Sequence, residues 1–132
     1  MIPMLLMASI AWGLGGHKSQ CLAAERASQG VIFCSPKNVS FVLVGRTTGN
    51  KYSIFNYHYR LLTHRRGVMH GGQRLIVFQG SRYAGQYDLT PEVIMTVTGT
   101  KVVLTVDRDN QAVIADFSQG PPSQLLGEPF FR

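Results

Sequence analysis

After residue 30 the chain alternates apolar and polar positions with a period of two. "VIFCS" (31–35), closed by Pro36, and "VSFVLV" (39–44) predict strands, and "GRTTGN" turns the chain into "KYSIFNYHYRLL" (51–62). In that third strand Phe55, Tyr57, Tyr59 and Leu61 share one face, and Ile54, Asn56, His58 and Arg60 share the other. The aromatic face reads as core, which points His58 and Arg60 away from it.

Two hairpins follow. "EVIMTV-TGTK-VVLTV" has Gly99-Thr100 at its tip, and glycine at the first central position marks a type II′ turn. Counting outward pairs Val97 with Val102, Met95 with Leu104 and Val93 with Val106 on one face. Thr98–Lys101, Thr96–Val103 and Ile94–Thr105 fall on the other, and a one-residue slip would destroy this division. Around Gly80-Ser81 the same count gives Phe78–Tyr83 and Ile76–Gly85, with Val77–Ala84 opposite. Gly85 there predicts a bulge or a close backbone approach, or a place where volume is surrendered to an internal ligand.

"DRDN" (107–110) turns the chain into "QAVIADF" (111–117), where Val113, Ala115 and Phe117 alternate. The Pro/Gly-rich tail from about residue 118 is expected to wrap the surface, pinned by Leu125, Leu126, Phe130 and Phe131. No solenoid repeat and no long amphipathic helix is visible. The expected fold is all-β: a small antiparallel barrel or sandwich of about seven strands built from meander hairpins, preceded by an apolar N-terminal leader. Closure would remove the sheet edges, which favours the barrel.

Composition changes this picture little. The chain has 132 residues, 45% hydrophobic and 15% charged, with 14 glycines, which suits one turn-rich domain. The leader changes it more. "MIPMLLMASIAWGLGG" has no ionisable side chain but is short for a membrane span, and it reads as the apolar core of an export signal. Small residues offer cleavage after Ala23 or Ala24. That divides the chain into a leader over 1–23, either an export signal or an uncleaved membrane tether, and a β domain over 24–132. The location implied is extracytoplasmic, periplasmic or secreted. No Lys or Arg precedes the apolar run, which departs from the usual signal; the competing reading is a buried N-terminal element of the domain.

Only Cys21 and Cys34 are present. Processing after Ala23 leaves Cys34 a lone thiol, whereas retention lets the pair close a short loop in an oxidising compartment. In its apolar setting Cys34 is expected as an inert buried thiol.

The net charge of +6 is unevenly spread. No Asp or Glu lies between Glu25 and Asp88, an interval holding Arg26, Lys37, Arg46, Lys51, Arg60, Arg65, Arg66, Arg74 and Arg82. The later part of the chain is mainly acidic. Such asymmetry permits a basic face for anionic partners, unless the two halves neutralise each other.

Candidate chemistry concentrates in "NYHYRLLTHRRGVMHGGQR" (56–74). His58, His64 and His70 could be imagined around a metal, but Arg65 and Arg66 beside them and the lack of a nearby carboxylate argue against one. No cofactor motif and no phosphate loop is present. An enzyme would have to use Cys34 or a histidine meeting an acid, and no spacing specifies such a pair. Arg65 and Arg66 beside Gly67 suit a clamp on phosphate or carboxylate. Arg60, His64, Arg65, Arg66, His70 and Arg74 are therefore the expected anion-binding residues. The expected function is an exported binding module for an anionic envelope partner: a lipid headgroup, a phosphate-bearing glycolipid or an acidic protein surface. The main alternative is a small β-barrel binding single-stranded nucleic acid, which would need tyrosines exposed for stacking.

Overall fold

The structure, a computed structural model, describes residues 10–62, 69–90, 92–106 and 110–132. Strands β1 (Val39–Arg46), β2 (Tyr52–Leu62), β3 (Met69–Gln79) and β4 (Arg82–Leu89) form one antiparallel meander. Strands β5 (Val93–Thr98), β6 (Lys101–Val106) and β7 (Gln111–Asp116) form a second. The tail adds a small pair, β8 (Gln124–Leu125) and β9 (Glu128–Pro129). One helix, α1 (Lys18–Ala27), precedes the sheets. Among the described residues no strand of the first sheet pairs with one of the second. The architecture is thus a sandwich, not the closed barrel that edge removal favoured.

The four-stranded sheet is the middle layer. Toward the second sheet it presents Tyr52, Ile54, Leu75, Val77, Tyr87 and Leu89, which pack on Val93, Met95, Val102, Leu104, Ala115 and Phe117. Its opposite face presents Val39, Phe41, Phe55, Tyr57, Ile76, Phe78 and Tyr83 to Leu14, Cys21, Ala24 and Ile32. Burial on both faces explains the unbroken apolar run "LIVF" in β3, since such a strand has no solvent side to mark with polar residues. It also corrects the sequence reading of β2. The face expected to point away from the core carries Ile54, which is fully buried under the second sheet.

The β5–β6 hairpin has the register counted from Gly99-Thr100, pair for pair. The β3–β4 hairpin keeps Phe78–Tyr83 and then departs from the count, with Val77 opposite Gly85 and Ile76 opposite Gln86. The bulge at Ala84 inverts β4, so Tyr83 faces the helix layer and Tyr87 the second sheet. At Gly85 a β-carbon would collide with the ring of Phe130. The volume given up at Gly85 is therefore filled by the Phe130 ring of the tail. Phe131 adds a backbone bridge to Gln86, with N–H···O distances of 2.7 and 3.0 Å.

Residues 31–35, expected as a strand, are irregular, because Cys34 is tied to Cys21 of α1 by a disulfide. This also corrects the expectation of an inert thiol at Cys34. A ten-residue helix without a side-chain N-cap is marginal alone; the disulfide and the burial of Cys21 and Ala24 hold α1 on the sheet. The expected cleavage boundary at Ala23–Ala24 falls inside this helix. Upstream, Gly13 bonds the backbone on both sides of Ser40 and Leu14 is buried, while residues 1–9 of the leader lie outside the described residues. No helix among the described residues is long and apolar enough to cross a membrane. A buried disulfide is consistent with an extracytoplasmic protein.

Candidate functional site

The two sheets are joined at both ends. At one end the Thr48 N–H donates to Gly99 O at 3.0 Å. At the other, the Gln73 amide holds Val93: Nε2 donates to Val93 O at 2.9 Å and Oε1 accepts from Val93 N–H at 2.8 Å. Gln73 Nε2 also donates to Asn56 Oδ1 at 2.9 Å, so a residue only 2% exposed has its amide saturated.

Beyond Gln73, strand pairing of the middle sheet narrows to β2 and β3 among the described residues, with the Arg60 N–H still donating to Asn38 O at 2.9 Å. The last pair between β1 and β2 is Val39–Tyr59, and the last between β3 and β4 is Gln73–Leu89. Arg60–Gly71, Leu61–His70 and Leu62–Met69 extend further as a two-stranded ribbon. Its connection, with His64, Arg65 and Arg66, lies outside the described residues. His70 is placed only by its backbone, opposite Leu61.

At the base of the ribbon, where the second sheet has not yet begun, lies an open recess of about 460 Å³. Its walls include Trp12, His58, Arg60, Gly71, Leu89 and Glu92. Arg60 is braced: Nε and Nη2 donate to Lys37 O at 3.2 and 2.6 Å, and its guanidinium lies 4.1 Å from the centre of the Trp12 ring. His58 Nε2 is buried without a hydrogen bond and lies 3.5 Å from Glu92 Oε2, whose side chain is 65% exposed. Burial lowers the His58 pKa below the ordinary histidine value, and the Glu92 carboxylate opposes that shift.

Arg74 does not join Arg60. It lies on the opposite face of the middle sheet, under the helix layer, with its guanidinium 5.6 Å from the centre of the Tyr59 ring. Its Nη1 donates to Gln86 Oε1 at 3.0 Å, and Gln86 Nε2 donates to Tyr83 Oη at 2.8 Å. Gly72 is bare because the Tyr59 ring crosses the space its β-carbon would take. Tyr57 is turned inward, its hydroxyl accepting from Phe33 N–H at 3.0 Å and donating to Phe33 O at 2.9 Å. Burial, partly offset by that backbone bond, pushes its pKa up to about 12.

Of the six expected anion-binding residues, the structure therefore places Arg60 at the recess and Arg74 away from it. The pairing of His58 with Glu92 and the part of Trp12 were not anticipated. No spacing links residues 58 and 92, and Trp12 lay within the segment read as a leader. Among the described residues no cluster of His, Cys, Asp and Glu could hold a metal ion. Cys34, as half of a disulfide, has no thiol for nucleophilic attack. No protein-family model matches the chain, and searches of the curated proteins and of the solved structures gave no match.

Proposed function

We propose that the protein is an exported, disulfide-braced β domain that binds an anionic envelope partner through the tip of the β2–β3 ribbon. The observation that carries this reading is the ribbon itself. Two strands run past both of their neighbours, and the connection between them is "THRRGV" in a chain interval without acids. Arg65 and Arg66 supply the paired N–H groups that phosphate or carboxylate oxygens take. Arg60, locked on Trp12 and Lys37, holds the base of the ribbon, and Arg74 does the same from the helix side. Export is supported by the apolar start of the chain and by the disulfide. The folded unit in this reading begins no later than Cys21, because a start at Ala24 discards that half of the disulfide.

The single-stranded nucleic-acid reading has less support. Its stacking surface would need exposed rings, yet Tyr52, Tyr57, Tyr83 and Tyr87 are buried and Tyr59 lies under Arg74.

The test is cosedimentation with phosphatidylcholine vesicles, with and without phosphatidylglycerol. Binding only to the anionic vesicles is expected, weakening as salt rises. Arg65→Ala with Arg66→Ala should lower it roughly thirtyfold, at about 1 kcal/mol per basic side chain near an anionic surface. Equal binding by the double variant sinks the reading.

A further inference from the structure

We propose that the recess at the base of the ribbon binds a small zwitterion, an amino acid or short peptide with free ends, its carboxylate on Arg60 and its ammonium between Glu92 and His58. This assigns a second site, which does not depend on Arg65 or Arg66.

The walls have opposite chemistry at the two ends. Arg60 uses two of its five N–H donors on Lys37 O, and the others have no partner among the described residues. The guanidinium also sits over the Trp12 ring, so little side-chain freedom is left to lose on binding. At the other end, Glu92 Oε2 and His58 Nε2 lie 3.5 Å apart without a hydrogen bond between them. A buried polar atom left unpaired costs free energy, and a group that bonds both atoms would remove that cost. An ammonium does so: one N–H to the carboxylate and one to the imidazole nitrogen. The Glu92 side chain, 65% exposed, is free to swing and admit it.

Spacing fits the same ligand. His58 and Arg60 are alternate residues on one face of β2, so their backbones are about 7 Å apart. Both side chains reach the same recess, so one short molecule can meet Arg60 with one end and the His58–Glu92 pair with the other. Gly71, opposite Arg60, leaves the floor without a side chain. Trp12 and Leu89 offer apolar walls, and about 460 Å³ is within the usual range for small-ligand sites. A purely anionic ligand would meet the Glu92 carboxylate, and a purely cationic one the Arg60 guanidinium. The pairing of signs is what selects a zwitterion.

The experiment is titration calorimetry of the full chain against the free amino acids and a set of apolar dipeptides such as leucyl-leucine. For the tightest member, N-acetylation and C-amidation should each weaken binding at least tenfold. Glu92→Gln should reproduce the effect of N-acetylation, and Arg60→Gln that of C-amidation. Glu92→Gln changes an exposed side chain, so it reports on the site even where Arg60→Gln loosens the ribbon. The Arg65→Ala, Arg66→Ala variant should bind the zwitterion unchanged while losing anionic vesicles, which separates the two sites. Absence of binding across the panel, or equal affinity for blocked and free forms, overturns the proposal.

Discussion

Gln73 acts toward Val93 as a neighbouring strand would, offering one donor and one acceptor to the N–H and C=O of a single residue. It does so from the middle sheet and so fixes where the second sheet starts, with Glu92 next to His58 as the consequence. Gln73→Ala would leave the Val93 N–H and C=O and the Asn56 side chain without these bonds. The expected loss is about 2–4 kcal/mol in urea unfolding, at roughly 1–3 kcal/mol for each buried group left unpaired. A loss below about 0.5 kcal/mol would show that the sheets are registered by apolar packing alone.

Gly85 and Phe130 form a second such pair, in which one residue's missing side chain is the other's place. Gly85→Ala should destabilise by about 1–3 kcal/mol, because the ring must leave its site against Tyr87. Much of that cost should vanish in a Phe130→Ala background, where no ring is in the way. Additive effects of the two substitutions would contradict the contact.

The hairpin around Gly99-Thr100 was legible because its outer face meets solvent, so polar and apolar residues sort by side. The β3–β4 hairpin was legible only to Phe78–Tyr83. Beyond it a bulge inverts the faces, and both faces are buried, so apolar residues carry no sign of direction. The same double burial hid the role of Ile54 and His58. Residues 31–35 had strand composition, but the Cys21–Cys34 link overrides local preference there. The basic interval was visible as a count, whereas its division between two faces of one sheet was not. Arg60 and Arg74 separate because β2 and β3 pair Tyr57 with Arg74 and Arg60 with Gly71.

The disulfide should contribute measurably to stability. It spans a sequence separation of 13, and closing a loop of that size is worth about 2–3 kcal/mol. Cys21→Ser with Cys34→Ser should lower stability by that amount, as should reduction of the wild-type chain. A chain comprising residues 24–132 should fall at least as far, since it also loses Leu14 and most of α1. Equal urea midpoints for 24–132 and 10–132 would show that α1 contributes nothing and would return the domain boundary to Ala23.

His58 should make the protein less stable in mild acid. An unfolded histidine titrates near pH 6.5, and burial lowers the value in the folded chain, with Glu92 opposing the shift. Between the two values the unfolded state binds the extra proton, so stability rises with pH across that window. It is fully present above about pH 6.5 and is lost as pH falls through the folded value. Urea midpoints should therefore drop between about pH 7.5 and 5.5. His58→Gln should remove part of that drop, leaving what the other groups contribute. Glu92→Gln should enlarge it, because the carboxylate is what partly restores the proton affinity of the folded imidazole. The opposite signs of the two variants are the discriminating feature. If Glu92→Gln instead flattens the pH dependence, the carboxylate and not the imidazole is the titrating group, and His58 is not held neutral by burial.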